Sequence, residues 1–231
     1  MRKLEYNFAD GEVLLLDKPY HWTSFDVVNK LRGGLKMKKI GHAGTLDPLA
    51  TGLLIICTGK MTKQIDLFQG WEKEYTGTFI LGKTTPSYDL ETPFDSESPY
   101  EHITAAQVEA VAKSLTGPLA QIPPAHSAIK IGGQRAYKKA RAGKDIKLEP
   151  RAVEVHTFEI TAFTPPEVHF RIVCSKGTYI RSLARDLGQQ LGTGAFLAAL
   201  RRTRIGDKHV DDAIEPLALL EHIKEVANEN I

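Results

Sequence analysis

Apolar residues recur along the chain in two rhythms. Val13-Leu14-Leu15-Leu16 and Leu53-Leu54-Ile55-Ile56-Cys57 are short unbroken apolar runs, the pattern of strands buried on both faces. The first predicts a strand over Glu12–Asp17, ended by Lys18-Pro19. Glu74–Leu81 alternates instead, with Tyr75, Gly77, Phe79 and Leu81 on one side and Thr76, Thr78 and Ile80 on the other. That period of two predicts a strand with a tyrosine near its start. Ala152–Ile160 and Val168–Cys174 predict a β-pair separated by Thr164-Pro165-Pro166. Leu197–Ile205 carries Arg201, Arg202 and Arg204 beside Leu200.

The helical rhythm begins behind Ser24, a plausible N-cap, with Phe25, Val28 and Leu31 on one face and Gly33-Gly34 closing the segment. Met61, Ile65 and Phe68 mark a short amphipathic helix. The clearest start is at Thr104 and Gln107, a capping box with Ile103 and Val108 as its hydrophobic staple. Val108, Val111 and Leu115 supply the stripe of that helix, and Gly117-Pro118 ends it. A further helix from about Thr178 turns Ile180, Leu183, Ala184, Leu187 and Leu191 inward, weakened by Gly188 and ended by Gly192 to Gly194. Pro216 opens a last one with Leu217, Leu220, Ile223 and Val226 apolar. Gly82–Pro99, rich in Thr, Ser, Pro and acidic residues, reads as an irregular surface connection. Strands outnumber helices, and their turns are often too short for crossovers, so the expected class is α+β.

At 231 residues the chain can bury one large core, or one core with an inserted lobe. A formal charge of only +2 does not announce a nucleic-acid binder; the distribution of charge has to. Lys130, Arg135, Lys138, Lys139, Arg141, Lys144 and Lys147 crowd one stretch around Tyr137, punctuated by Gly132-Gly133 and Gly143. The pattern predicts a protruding hairpin-and-helix lobe, either an ordinary solvated surface or a patch that faces phosphates. Cys57 and Cys174 lie in apolar runs and read as reduced core residues rather than a disulfide or a metal site. The first ten residues lack the apolar core of a signal peptide, and no run reaches the roughly 20 apolar residues that span a bilayer. A soluble, cytoplasmic protein is expected.

The chemistry concentrates in Gly41-His42-Ala43-Gly44-Thr45-Leu46-Asp47-Pro48-Leu49-Ala50-Thr51-Gly52. Glycines permit tight or left-handed backbone, while Pro48 fixes its own φ and drives Asp47 toward an extended conformation. The loop is therefore stiff, and it presents a carboxylate and an imidazole just before a buried strand. A turn in which Asp47 merely caps its own backbone fits the same residues. Phosphate-cradling Gly-rich loops, metal-ligand spacings and a Gly-x-Ser-x-Gly elbow are all absent from the sequence, which has eight scattered histidines. The remaining constellation is Asp47, His42, Tyr75, and Arg181 in the first turns after Lys176-Gly177-Thr178-Tyr179. If these meet, a guanidinium against Asp47 keeps the carboxylate ionised in an apolar cleft; Arg181 pairing with phosphate or another carboxylate is equally open.

The Gly41–Gly52 block closely resembles the catalytic signature of the bacterial tRNA pseudouridine-55 synthases, the TruB family. The likeness continues through Leu16-Asp17-Lys18-Pro19, Trp22-Thr23-Ser24, Lys73-Glu74-Tyr75, Gln121-Ile122-Pro123-Pro124, Ser127-Ala128-Ile129-Lys130 and the run from Cys174 to Gly188, in family order. It spans roughly residues 10 to 205. The resemblance implies a pseudouridine synthase fold: a mixed, mostly antiparallel central sheet flanked by helices, in one catalytic domain over 1–231. An RNA-binding thumb is inserted over 120–150. It implies conversion of the T-loop uridine at position 55 of tRNA to pseudouridine, with base flipping and no cofactor or metal. Asp47 is then the catalytic aspartate, Tyr75 stacks on the base and assists its proton chemistry, and Arg181 pairs with Asp47 and helps hold the flipped nucleotide. Lys18 and Pro19 support the cleft floor, Tyr179 and Leu200 are apolar walls, and His42 fills the space the base leaves. Lys130, Arg135, Lys138, Lys139 and Arg141 grip phosphates of the T arm.

Two features depart from the family. The chain ends at Ile231 without the carboxy-terminal PUA domain of many members, so its grip is expected to centre on the T arm. Lys83-Thr84-Thr85-Pro86-Ser87-Tyr88-Asp89 also lacks the more usual Thr-Asp-Thr-x-Asp-x-Glu-Gly character. A monomer with no obligate protein partner and no membrane association is expected. An RNA-binding factor that opens and reanneals the tRNA elbow, and a related synthase aimed at another RNA, are the competing readings.

Overall fold

A computed structural model describes residues 6–8, 10–127, 130–131, 134–135 and 148–229. In chain order the first elements are β1 (Val13–Lys18), α1 (Ser24–Gly34), β2 (Ile40–Ala43), β3 (Ala50–Thr58), α2 (Ile65–Gly70) and β4 (Lys73–Leu81). There follow β5 (Lys83–Thr84), β6 (Ser96–Glu97), α3 (Ala105–Ser114), β7 (Gly117–Gln121), β8 (Lys130–Ile131) and β9 (Gln134–Arg135). The chain continues through β10 (Arg151–Thr164), β11 (Glu167–Cys174), α4 (Ile180–Leu191), β12 (Ala195–Ile205), β13 (Lys208–His209) and α5 (Pro216–Glu229). Two compact units form: Met1–Tyr75 with Arg201–Ile231, and Thr76–Leu200.

In the first unit β3 pairs antiparallel with both β1 and β2, matching Leu16 with Leu54 and Ala43 with Ile55. The unbroken apolar run of β3 is explained by burial on both faces. Leu54 and Ile56 pack with Leu14, Leu16, Val27, Val28, Leu31, Leu219 and Leu220, so α1 and α5 cover that side. Leu53, Ile55 and Cys57 point the other way, against Ala43, Phe68, Ile205 and Val210. Burial pushes the Cys57 thiol up to about 11, which keeps it protonated and inert.

The start of α1 differs from expectation. Thr23 is the N-cap, accepting from the Asp26 N–H while the Asp26 carboxylate accepts from Thr23 N–H. Ser24 is thereby released from capping and used elsewhere. Phe25 is 58% exposed; the buried stripe is Val27, Val28 and Leu31. Val28 and Leu31 face the core as the periodicity predicts, and Val27 rather than Phe25 completes the stripe.

In the second unit the strand order runs from the start of β12 through β4, β11 and β10 to β7. β10 pairs antiparallel with β11, matching Phe158 with Ile172, and with β7, matching Val153 with Leu119. Phe79 and Phe170 stack at 4.2 Å, and Phe158 meets Phe79 edge-on. The Thr104 capping box forms as the pattern predicts, with Ile103 and Val108 buried. Gly188 is tolerated inside α4 because a Cβ there would lie 2.2 Å from the Ala195 amide nitrogen; only glycine lets the helix approach β12 so closely. Parallel bridges join Leu16 to Ile214 in the first unit and Asp89 to Leu197 in the second. The class is α+β, with a mixed, mostly antiparallel sheet flanked by helices.

The segment after β4 is not the surface connection that composition suggests. β5 and β6 pair as a two-stranded hairpin, and Thr85, Ser87 and Asp89 are buried. β8 and β9 pair with Lys130 opposite Arg135, a hairpin as the sequence predicts; Lys138, Lys139 and Arg141 lie outside the described residues. No helix among the described residues is long and apolar enough to cross a membrane.

Two glycines with similar backbone separate strain from collision. Gly52 has φ of 103°, and a Cβ on it would sit 2.3 Å from the Arg202 carbonyl oxygen. Gly117 has φ of 100° but nothing within 4 Å of that position. In denaturant unfolding, Gly117→Ala is expected to cost about 1–2 kcal/mol, the backbone penalty alone. Gly52→Ala should cost about 3 kcal/mol or more, because overpacking against backbone is added. Equal losses would refute the close β3–β12 approach.

Candidate active site

The β2–β3 connection is fixed residue by residue. Gly44 turns it with φ of 91°. The Ser24 hydroxyl, freed from capping, accepts from Leu46 N–H at 2.8 Å and donates to Leu46 C=O at 3.2 Å. On the far side of Asp47, the His21 N–H donates to the Pro48 carbonyl at 2.9 Å. Asp47 itself accepts from Ala50 N–H through its carbonyl, at 3.1 Å. Both neighbours of the aspartate are thus tied down, while Leu46 is buried and Asp47 is half-buried. This is the stiffness that glycine and proline spacing foretold, but two partners that spacing did not reveal enforce it.

A third is Arg202. Its side chain is wholly buried, donating from Nε to the Leu53 carbonyl at 2.7 Å and from Nη2 to the Gly44 carbonyl at 3.2 Å. Neighbouring Arg201 points to Asp17 in a bidentate pair at 3.0 and 2.6 Å. Arg204 reaches Glu72 at 2.8 Å. Three arginines that read alike in sequence therefore have three separate tasks.

Lys18 is a second buried cation of this unit. Its ammonium donates to the Pro19 and Trp22 carbonyls at 2.9 and 2.5 Å, closing the turn between β1 and α1. Burial pushes its pKa down to about 8; the Asp47 charge opposes that fall and Arg202 reinforces it. His42 stands in β2, beside the same loop. Burial lowers its pKa, a Gly44 backbone hydrogen bond works against this, and Arg202 adds to it, so the imidazole is held neutral at pH 7. Tyr75, also in this unit, is buried within β4.

The second unit holds Tyr179, Arg181 and Leu200. Arg181 is 3% exposed, and its Nη atoms donate to the Ser87 and His126 carbonyls at 3.2 and 3.0 Å. Its Nε lies 3.5 Å from the buried Asp89 carboxylate, a partner that composition had assigned to the surface. Gln121 grips the backbone of Tyr179 from both sides, accepting its N–H at 2.8 Å and donating to its carbonyl at 3.2 Å. Ser182 adds a bond to the Ile122 carbonyl at 2.8 Å. Two sequence blocks about sixty residues apart are thereby bolted together at the first turn of α4. Leu200 is half-buried in β12. Groups of three or more His, Cys, Asp or Glu side chains able to hold a metal are absent among the described residues.

Asp47 is thus braced between two backbone anchors, with buried Arg202 bonded to its loop and the buried Lys18 ammonium close enough to feel its charge. Residues 32–180 match the model of the TruB family pseudouridylate synthase N-terminal domain, and 181–230 that of the tRNA pseudouridylate synthase B C-terminal domain. The chain belongs to the TruB family, and it is a pseudouridylate synthase, an isomerase. It is 55% identical to the tRNA pseudouridine synthase B of Flavobacterium johnsoniae, over 90% of this chain and 94% of the relative. It is 50% identical to that of Phocaeicola vulgatus, over 96% and 100%. Among solved structures it resembles a chain of a Cbf5-Nop10-Gar1 complex, with TM-score 0.75 and 28% identity, covering 97% of this chain and 57% of that one.

Lys18 gives a pH test of the site's electrostatics. Its ordinary value is 10.5 and its folded value about 8, so between these the unfolded chain binds the proton that the folded chain has released. Stability supplied by this group therefore rises with pH through that window. Measured by urea unfolding, the stability of the wild type relative to Lys18→Met is expected to climb between pH 8 and 10. A flat or falling difference would mean that the ammonium is not buried against the loop.

Proposed function

We propose that this enzyme acts on tRNA, converting the T-loop uridine at position 55 to pseudouridine. The observation that carries the reading is the Asp47 loop: a half-buried carboxylate fixed through Leu46 and Pro48, on a chain whose full-length relatives are named for tRNA. The N1–C1′ bond of the nucleotide breaks, the uracil turns within the site, C5 bonds to C1′, and the proton of C5 is lost while N1 gains one. No atom is added or removed. Such a reaction needs retention and orientation of the detached base more than it needs an external reagent. The target has to leave its stack to be reached, which costs less in a loop than in a duplex.

Within this reading Asp47 is the catalytic aspartate. Tyr75 stacks on the uracil and assists the proton step, and Arg181 steadies the reacting nucleotide. Lys18 and Pro19 support the floor, Tyr179 and Leu200 contribute apolar walls, and neutral His42 takes the place vacated by the flipped base. A neutral imidazole suits that task, since a charged one would resist sliding into a stack of bases. The thumb, 120–150, closes on the T arm, with Lys130, Arg135, Lys138, Lys139 and Arg141 meeting phosphates.

Incubation with tRNA transcript tritiated at uridine C5 is the test. The wild type is expected to release tritium, and Asp47→Asn is expected to bind the RNA with near wild-type affinity while release falls below detection. Binding without release by the wild type would overturn the isomerase assignment for this substrate. Release that survives Asp47→Asn would overturn the role of Asp47.

A further inference from the structure

The turn between β1 and α1 is built more rigidly than a connection requires. The buried Lys18 ammonium holds it from below through the Pro19 and Trp22 carbonyls, at 2.9 and 2.5 Å. Between those two carbonyls lie Tyr20 and His21. His21 has φ of 65°, the left-handed region where a side chain meets steric opposition and glycine is the ordinary occupant. Its N–H donates to the carbonyl of Pro48, the residue after Asp47. Strain of this kind persists where the surroundings over-determine the backbone, and it concentrates at functional positions.

What the turn displays is aromatic. Tyr20 is 45% exposed, His21 is exposed, and their ring centroids lie 4.2 Å apart at 58°. Neither ring is enclosed by the core, so neither accounts for the strained backbone by packing. The backbone that carries them is tied to the Asp47 loop by the His21 N–H, and the two rings rest against each other. Rigid aromatic faces of this sort are how proteins hold unpaired bases, because every base offers a π-face whatever its sequence.

We propose that Tyr20 and His21 form a stacking platform for one unpaired nucleobase of the substrate RNA, next to the uridine on which Asp47 acts. The assignment rests on the tRNA reading above and adds a contact to it. An RNA base is favoured over a protein side chain because the platform is tethered to the catalytic loop, where the substrate's single-stranded nucleotides must lie. With the backbone beneath the rings fixed and the rings already in contact, less ordering remains to be done on binding.

His21→Gly makes an unusually clean test, since it deletes the ring and relieves the left-handed strain, so the variant is expected to melt no lower than the wild type. Binding and turnover are measured on a T-arm stem-loop RNA and on copies bearing an abasic site at each loop position flanking the target. For the intact RNA, Tyr20→Ala and His21→Gly should each weaken binding about tenfold, with the loss in KM rather than kcat. Tyr20→Phe should behave as the wild type. At one flanking abasic position the variants and the wild type should bind alike, because the contact is already gone. Wild-type affinity in both ring deletions would overturn the platform, as would the same tenfold loss on every abasic RNA. A wild type that fails to convert the intact stem-loop would instead strike the tRNA reading itself.

Discussion

The site depends on how one guanidinium is satisfied out of water. Arg202 is buried in β12, and its donors reach the carbonyl of Leu53 in β3 and that of Gly44 in the loop before it. A buried guanidinium without fixed acceptors is prohibitively costly, so its position and that of the two carbonyls determine one another. Leu53 belongs to the core strand, wholly buried and packed on both sides, so its carbonyl is a fixed point of the sheet. Gly44 is tied to that point through the same guanidinium. The close contact of Gly52 with the Arg202 backbone completes the arrangement, since the strand carrying the arginine has to lie against β3 for the side chain to reach both carbonyls. Ser24 and His21 then fix Leu46 and Pro48, so the backbone on both sides of Asp47 is held.

The second unit uses the same physics for Arg181. Its guanidinium takes two backbone carbonyls and the Asp89 carboxylate, while Gln121 holds the backbone of Tyr179 two residues earlier. In both units a charged group placed in the interior fixes backbone that a purely apolar core would leave free to slide. In the reaction proposed above the base is detached and recaptured, and precision of that order serves such a step.

Much of this was legible in the sequence. β1, β3, β4, β10 and β11 followed from unbroken or alternating apolar runs, and the α3 cap followed from Thr104 and Gln107. The stiffness of the Asp47 loop followed from its glycines and Pro48. Arg202 did not, because Arg201, Arg202 and Arg204 are chemically alike and only the register of β12 decides which is interior. Ser24 has the right chemistry for a cap, but the deciding residue, Asp26, stands at the capping-box spacing from Thr23 alone. Asp89 was hidden by its company. A segment of Thr, Ser, Pro and acidic residues reads as solvated until the chain supplies Arg181, ninety-two positions later, as its partner.

The most direct test of this account is the single-turnover rate of pseudouridine formation by Arg202→Lys at saturating RNA, with binding measured alongside. Lysine keeps the charge but cannot span the Leu53 and Gly44 carbonyls as a planar fork does. The account predicts a folded protein that binds RNA within about twofold of the wild type yet reacts at least about tenfold more slowly, because the loop bearing Asp47 is no longer held to the sheet. A wild-type rate from that variant would contradict it.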